Sequence, residues 1–418
     1  MTKVLIYQIG YGQWGSVAFE KFLQLKRSMN NIDIAGICDI KPDRRAAAEN
    51  TAKKAGLTIG TFSHSFDMYK DAIEKQKQGN IILIYDAGPS ELHAAHLIKS
   101  MEHGFFHVAE KPPFFSRREK RKIDELTEKH GGRWTVDLIE DESPVVKTAL
   151  EYARANKIRI KRIGAYRYNS IALKKLAFKE HRLGVTGGDL LDKLLHEAYL
   201  SRFLENYRKA AIKKARCDFF MISSVEEPKI IGIHGKLPEK KDEIATAQSS
   251  VEGLFITKNA KIPFALGSGW LGVPDKIKTV VNRIEKQIGS VLIFSQIMSA
   301  DGKSFADEEL RIFTIEGTCG KSKVMLLGDM KNKKLYENAG RKWKQLNLIE
   351  LEGDQLYRVL RNAVSTAEGK EGFSITRKEI DFIMDIILEA RKKILKRKIN
   401  LEKEAEKTKK YVAERVKS

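Results

Sequence analysis

The sequence predicts an α/β protein with a doubly wound parallel sheet at its N-terminus and a second α/β domain whose sheet is mainly antiparallel. Three observations predict it. Short apolar strands alternate with helical patterns over the first third of the chain. A glycine-rich turn sits at the first strand–helix junction. After about residue 140 the alternation gives way to a succession of strand-like runs.

The first strand is KVLIYQI (3–9), followed by a helical pattern from Trp14 to about Met29. DIAGICD (33–39) leads into PDRRAAAENTAKKAG, with proline at the helix start and glycine at its end. NIILIYDA (80–87) precedes a helix from about Ser90 to His103. Then come FFHVAE, a charged helix over about 117–129, and RWTVDLI. Strands with continuous apolar runs suit a sheet covered on both faces. A helix over 145–156 and the strand IKRIGAYRY (159–168) open the second domain. Strand-like runs follow: CDFFMISS, KIIGIHG, TAQSSVEGLFIT, IPFALGSGW, SVLIFSQIM, LRIFTIEGT and KVMLLGD. A long amphipathic helix begins near Arg377. The expected boundaries are 1–140 for a dinucleotide-binding domain, 141–395 for a substrate-binding and oligomerisation domain, and 396–418 for a basic helical tail.

Bulk composition excludes several classes. A hydrophobic content of 42% supports large cores and rules out a disordered chain. No run reaches the ~18 apolar residues of a membrane span, and the N-terminus reads as a strand, so a cytoplasmic protein without membrane partners is expected. Cys38, Cys217 and Cys319 are far apart and fit neither a disulfide framework nor a zinc site, so no metal is expected. The net charge is +21, and residues 391–418 carry +8 of it. The remainder is spread without an aromatic-interleaved patch, so the excess reads as a solvated lysine-rich helix and not as a nucleic-acid arm.

GYGQWG (10–15) matches GxGxxG in the context that its mechanism requires, after a strand and opening a helix. Gly10 allows the tight turn, Gly12 lets backbone approach a pyrophosphate, and Gly15 permits close helix–strand packing. The phosphates would rest on amides of the helix N-terminus. Asp39 ends the second strand, 24 residues after Gly15, where an acid accepts hydrogen bonds from the adenosine ribose and favours NAD. Lys41, Arg44 and Arg45 follow at once and suit a 2′-phosphate, so NADP stays open.

Chemistry in such a fold lies beyond the carboxyl ends of the strands. Glu110 and Lys111 stand at one such end, stiffened by Pro112. In TGGDLLDKLLHEAYLSRFLE (186–205), Asp192 and His196 are spaced i, i+4, on one helix face, above an apolar stripe of Leu190, Leu191, Leu194, Leu195 and Ala198. That spacing can deliver a carboxylate and an imidazole to one point. An exposed Asp–His pair and a solvated lysine are the structural alternatives.

Taken together, GYGQWG, Asp39, PSELH (89–93), AEKP (109–112) and GGDLLDKLLH (187–196) resemble the glucose–fructose oxidoreductase, inositol dehydrogenase and MocA (Gfo/Idh/MocA) family of NAD(P)-dependent oxidoreductases, to about residue 395. The resemblance implies a Rossmann domain, then an α/β domain with a large open sheet that often serves homo-oligomerisation into dimers or tetramers. It implies hydride transfer between nicotinamide and a carbinol carbon of a sugar, polyol or sugar derivative. The implied cofactor-binding set is Gly10, Gly12, Gln13, Trp14, Gly15, Asp39, Arg44, Gly88, Pro89, His93 and Glu110. Lys111, Asp192 and His196 match the catalytic positions and also meet the substrate. His196 acts as the main acid/base and Lys111 polarises the reacting oxygen, or the reverse. Arg167 and Tyr168 are candidates for substrate contact. Two departures stand out. Asp86 precedes Gly88-Pro89, and the segment IEDESP (139–144) is acidic where relatives carry arginine. An acidic segment bordering the site would suit an amino group; alternatively these acids start a helix. Reduction of a C=N bond or of a non-carbohydrate carbonyl, nucleotide sensing without turnover, and partner binding by the tail are the competing functions.

Overall fold

The computed structural model describes residues 2–169, 191, 193–204, 207–222, 230–232, 244–270, 272–298, 305–340 and 342–396. The chain divides into two compact units, residues 1–143 with 351–381, and residues 144–350 with 382–418.

The first unit is a six-stranded sheet in the order β3-β2-β1-β4-β5-β6. Its strands are β1 (Val4–Ile9), β2 (Ile32–Cys38), β3 (Gly60–Phe62), β4 (Ile81–Asp86), β5 (Phe106–Ala109) and β6 (Trp134–Val136). Every pairing is parallel. The order reverses between β2 and β4 around β1, which opens the crevice used by doubly wound folds. The connecting helices are α1 (Gln13–Ser28), α2 (Pro42–Lys54), α3 (Ser65–Lys77), α4 (His93–Glu102) and α5 (Arg117–His130). Pro42 begins α2, and Ser116 with Glu119 forms a reciprocal capping box at the start of α5. β3 and α3 escape sequence reading, because a three-residue strand, GTF, shows no apolar run.

The strands are buried on both faces. One core gathers Ile6, Phe19, Phe22, Ile34 and Leu83, and the other Tyr7, Met68, Tyr69, Ile84 and Phe105. The first core has a late contributor. Helix α9 (Gln355–Ala367) is capped by Asp354, whose side chain accepts from the Tyr357 amide, and it inserts Leu356, Leu360, Ala363 and Val364 beside Phe19 and Phe22. The expected second domain, 141–395, therefore lends 351–381 to the first unit. The stripe at 356, 360, 363 and 364 has helical spacing, but a local pattern does not say which core it joins.

The second unit opens with α6 (Pro144–Ala155) and is built on a sheet of ten described strands. Its path is β16-β15-β14-β13-β7-β11-β10-β8-β9, with β12 also paired to β13. The strands are β7 (Arg159–Asn169), β8 (Tyr207–Ile222), β9 (Ile230–Gly232), β10 (Ile244–Thr257), β11 (Lys261–Gly269), β12 (Phe294–Met298), β13 (Phe305–Cys319), β14 (Ser322–Asp329), β15 (Lys334–Asn338) and β16 (Trp343–Leu346). The β7–β11 pair is parallel and every other described pair is antiparallel, as the mainly antiparallel expectation requires. The run SVLIFSQIM forms a strand only from Phe294. Before it, Glu285 Oε1 accepts from the Leu292 and Ile293 amides at 2.6 and 2.8 Å, tying that stretch to helix α8 (Asp275–Ile288). A shorter helix, α7 (Leu194–Ala198), continues into a 3-10 turn over Tyr199–Phe203. Helix α10 (Arg377–Lys396) ends the described chain, and the basic tail, 397–418, lies outside it. No described helix is long and apolar enough to cross a membrane.

Leu360→Ala should destabilise the first unit by about 3 kcal/mol, because the residue is wholly buried where α9 meets the nucleotide-domain core. Denaturant unfolding monitors this, and a change below about 0.5 kcal/mol would contradict the packing.

Candidate functional site

The glycine turn is held by contacts that leave no room for side chains. Gly10 has φ +84°, and a Cβ there would stand 2.4 Å from the Ala87 carbonyl oxygen. A Cβ on Gly15 would stand 2.3 Å from the Gly10 carbonyl oxygen. Both positions therefore need glycine, one for backbone angle and both for space. The buried Gln8 side chain bonds the turn from below, donating from Nε2 to the Gly10 and Gly15 carbonyls, each at 2.8 Å. Gly12 differs, since a Cβ there would meet nothing closer than Arg44 Nη1 at 3.5 Å. A side chain at Gly12 would thus make only an ordinary contact, with Arg44, in contrast to the clashes at Gly10 and Gly15. Gln13 and Trp14 are exposed in the first turn of α1.

Asp39 is buried just past β2. Its Oδ2 accepts from the Tyr11 amide at 2.7 Å and its Oδ1 from the Lys41 amide at 2.9 Å. Arg44 Nη1 lies 3.6 Å from Asp39 Oδ2. The acid thus ties the glycine turn to the end of β2.

The next two strand ends carry the unexpected Asp86 and the Glu110-Lys111 turn. Asp86 is fully buried. Its Oδ1 accepts from the Gly88 amide at 2.9 Å and its Oδ2 lies 2.9 Å from His96 Nδ1. Burial works against the charge of Asp86, but His96 outweighs it and holds the carboxyl well below the usual range. In turn burial opposes a charged His96, and Asp86 overcomes this and raises its pKa. Nearby His107 has no such partner. Burial pushes it down to about 3, and its Nδ1 instead meets Ser100 Oγ at 2.8 Å.

His93 is also buried and acts as a brace. Its ring nitrogens lie 3.0 Å from the Pro112 carbonyl and 3.1 Å from the Gly88 carbonyl. His93 thus stands between the Gly88-Pro89 turn and the Glu110-Lys111-Pro112 turn, and a neutral ring donates to one of the two carbonyls at a time. The Lys111–Pro112 peptide is cis. Lys111 itself is part-exposed, and Glu110 Oε2 accepts from its amide at 3.2 Å.

Beneath this turn lies a pair of acids that sequence reading missed. The Tyr85 hydroxyl stands 3.0 Å from Glu110 Oε1 and 3.0 Å from Asp137 Oδ2. One hydroxyl has one proton to donate, so the two carboxyls cannot both be satisfied by it. Burial, then the charge of Glu110, pushes Asp137 well above the usual carboxylate range. Through the Tyr85 hydroxyl, Asp137 is linked to the Glu110-Lys111 turn. Asp137 sits in an apolar strand (RWTVDLI), and only the adjacency of β4, β5 and β6 assembles the group.

The acids of IEDESP form their own 3-10 turn, Ile139–Glu142, ahead of α6, and all three are buried. They do not begin the helix, which starts at Pro144. Glu142 Oε2 lies 3.3 Å from Arg358 Nε on α9, which gives it a structural partner.

In the second unit His196 is buried on α7, and Leu191, Leu194, Leu195 and Ala198 are buried as their stripe predicts. Asp192 and the preceding glycines lie outside the described residues. Lys193 is buried too. Its ammonium bonds the Gly269 carbonyl at 2.7 Å and Asn169, and lies 3.4 Å from the Trp270 ring centroid. Tyr168 belongs to the core with Leu310 and Leu327, and Arg167 is part-buried on the alternate face of β7.

Residues 4–138 match the Gfo/Idh/MocA profile, an oxidoreductase family with an NAD-binding Rossmann fold. That segment belongs to the Gfo/Idh/MocA family. No curated protein matches the chain by sequence. Solved structures share the whole fold. Biliverdin reductase from Synechocystis sp. PCC 6803, in complex with biliverdin and NADP+, superposes with a TM-score of 0.64 at 12% identity, over 93% of this chain and 98% of that one. UDP-N-acetylglucosamine 3-dehydrogenase from Acidithiobacillus ferrooxidans gives 0.61 at 12% identity, over 94% and 98%. A levoglucosan dehydrogenase complexed with NADH gives 0.64 at 14%, over 94% and 98%. At such identities the likeness is one of fold. The recognition of a Gfo/Idh/MocA Rossmann domain from its motifs holds.

Two substitutions probe the strand ends of this Gfo/Idh/MocA domain. Asp86→Asn should cost about 3 kcal/mol, since it strands His96 without its charge partner. The depressed Asp86 lends stability above its unfolded pKa of about 4, which is lost as pH falls, and the raised His96 lends stability below its unfolded value of about 6.5, which is lost as pH rises through its folded value. The gap in melting temperature from wild type should therefore be widest between about pH 4 and 6.5 and narrow on both sides. A gap that is flat with pH would refute the pair. Separately, Asp137→Asn should cost under about 1 kcal/mol, as a neutral amide replaces an acid whose raised pKa favours its neutral form, whereas Asp137→Leu should cost about 2 kcal/mol by removing one of the two carboxyl partners of the Tyr85 hydroxyl. Equal losses in the two variants, read by denaturant unfolding, would count against a protonated Asp137.

Proposed function

We propose that the chain is an NAD(P)-dependent oxidoreductase that moves a hydride between nicotinamide and a carbinol or carbonyl carbon of a sugar, polyol or sugar derivative. The observation that carries this reading is the Glu110-Lys111 turn. It stands at the carboxyl end of β5 in a Gfo/Idh/MocA Rossmann domain, and it is braced by His93 through Pro112 and by Tyr85 through Glu110. A lysine on so firm a support suits a group that must hold one position against a reacting oxygen.

A bound nicotinamide would accept the hydride from the carbinol carbon in the oxidising direction, and a base of the chain would take the hydroxyl proton. In this reading His196 takes that proton, with Asp192 beside it in sequence register, and Lys111 polarises the oxygen; the two roles can exchange. An ammonium near a cationic nicotinamide ring loses protons more readily, which favours proton transfer. Gly12 and the first amides of α1 receive the pyrophosphate. Arg167 remains a candidate for substrate contact, and the core position of Tyr168 supports a packing role instead. The sugar dehydrogenases among the structural neighbours support the substrate class.

A second reading is reduction of a conjugated or non-carbohydrate substrate. The biliverdin reductase superposition, over 93% of this chain, favours it. The buried acids at 140–142 weigh against an anionic group near that turn in either reading.

Lys111→Ala should keep dinucleotide affinity within about threefold while lowering turnover by about a hundredfold or more. The check is a nicotinamide-absorbance screen over polyols, aldoses, amino sugars, sugar nucleotides and linear tetrapyrroles. Unchanged turnover in the variant would remove Lys111 from the mechanism, and a hit confined to tetrapyrroles would replace the first reading with the second.

A further inference from the structure

We propose that Asp86 and His96 form a positioning pair, which holds the Ala87–Gly88 peptide against the glycine turn and so sets how tightly a dinucleotide binds. The proposal rests on the dinucleotide-binding reading of the first unit. It gives a task to Asp86, a residue that the GxGxxG pattern does not require.

β1 and β4 are parallel neighbours that end in register, at Ile9 and Asp86. The Ala87 amide extends the ladder by one bond, to the Ile9 carbonyl at 2.8 Å. Beyond it the two chains touch. A Cβ on Gly10 would stand 2.4 Å from the Ala87 carbonyl oxygen and 2.8 Å from the Gly88 nitrogen. The Ala87–Gly88 peptide is thus the surface on which the glycine turn rests. Any shift of that peptide reaches Gly10 directly, since the contact is backbone against backbone.

Asp86 controls this peptide. Its Oδ1 accepts from the Gly88 amide and its Oδ2 meets His96 Nδ1, each at 2.9 Å. A Cβ on Gly88 would stand 2.9 Å from Asp86 Oδ1 and 3.2 Å from Ile9 Cγ2, so the peptide has little slack. A carboxylate with no exposed surface keeps one orientation only while both oxygens have partners. His96 supplies the second partner from a fixed place, because the Tyr69 hydroxyl donates to its backbone carbonyl at 2.8 Å.

The charge of the pair follows His96. Burial opposes the charge of Asp86 and His96 outweighs it, so Asp86 stays ionised at neutral pH. His96 keeps its proton past its ordinary value of about 6.5 and loses it as pH rises further. Buried Asp86 then lacks a counter-charge, which weakens its hold on Gly88. The other titratable groups at this corner are His93 and Glu91 beside α4, His107 on β5, Cys38 on β2 and Tyr69 on α3. Burial pushes His107 down to about 3, Cys38 up to about 12 and Tyr69 higher still, so these three stay uncharged near neutrality. Lys99 and Glu102, at the outer end of α4, pair with each other. Helix α5, packed on α4, buries Ile123, Leu126 and Thr127, none of which titrates. His93 meets the Gly88 carbonyl, so the test must separate it from His96.

The test titrates the full chain with NADH and with NADPH, read by nicotinamide fluorescence, from about pH 6 to about pH 9. Wild-type affinity should be constant at the acid end and fall by about threefold or more as His96 loses its proton. At about pH 6, Asp86→Ala removes both bonds and should bind at least about tenfold more weakly. Asp86→Asn keeps an acceptor for the Gly88 amide and should lose about threefold. His96→Gln keeps a neutral donor toward Asp86, and its affinity should match the weaker, alkaline wild-type value at every pH. Melting curves identify any variant that fails to fold, and His96→Gln carries the test if an Asp86 variant does. Wild-type affinity in folded Asp86→Ala, or in His96→Gln at about pH 6, would overturn the proposal and leave the pair a purely structural one. A pH dependence that survives in His96→Gln would assign it to His93 and overturn the proposal too. Binding of neither dinucleotide by the wild type would overturn the underlying reading itself.

Discussion

One buried amide organises the nucleotide domain. Gln8 is the last residue but one of β1, with its side chain beneath the glycine turn, and its Nε2 bonds the carbonyls of Gly10 and Gly15. Those carbonyls belong to opposite sides of the turn. Joined through one nitrogen, they bring α1 against the strand end so closely that a methyl group at Gly15 would lie 2.3 Å from the Gly10 oxygen. Gly12 stands outside that closure, where the nearest atom a Cβ would meet is Arg44 Nη1 at 3.5 Å. The turn cannot relax into the space that a pyrophosphate would use, because its own backbone is already bound on the inner side.

The same device recurs along the carboxyl edge of the sheet. Asp39 holds the glycine turn, Asp86 holds Gly88, His93 holds Gly88 and Pro112 together, and Glu110 holds the Lys111 amide. Each is a polar side chain along this edge that meets backbone groups which the ladder no longer serves. Such groups are costly to bury unpaired, so each bond both stabilises the edge and restricts its loops. Charge is compensated in the same way: His96 accompanies Asp86, and a retained proton on Asp137 accompanies Glu110. Loops restrained in this way have less freedom to lose on meeting a ligand.

The second unit solves a different problem. A ten-stranded, mostly antiparallel sheet must hold a central parallel pair, β7 and β11. Lys193 reaches the ends of both strands, at Asn169 and Gly269, from the turn just before His196. A buried ammonium needs several acceptors, and two strand ends with an indole face supply them. Through that contact the segment carrying His196 is tied to the sheet.

Much was legible in the sequence because it depends on local pattern. The alternation of strands and helices, the GYGQWG turn, the Lys111 turn after β5 and the stripe beneath His196 are all matters of spacing along the chain. Residues that act through neighbours in space were not legible. Asp39 reads as a ribose acceptor by position, and the fold adds its bonds to the Tyr11 and Lys41 amides. His93 reads as part of a cofactor segment, and the fold adds its contacts to Gly88 and Pro112. Asp137 reads as an interruption in an apolar strand and becomes one half of an acid pair, because β6 lies beside β5 and β4. Helix α9 has a readable stripe, but only folding assigns it to the first core, more than 200 residues from the sequence it covers. Periodicity determines which face of an element is buried. What that face is buried against, and which carboxylate keeps its proton, depends on non-local contacts and on the desolvation they impose, and these exist only in the tertiary structure.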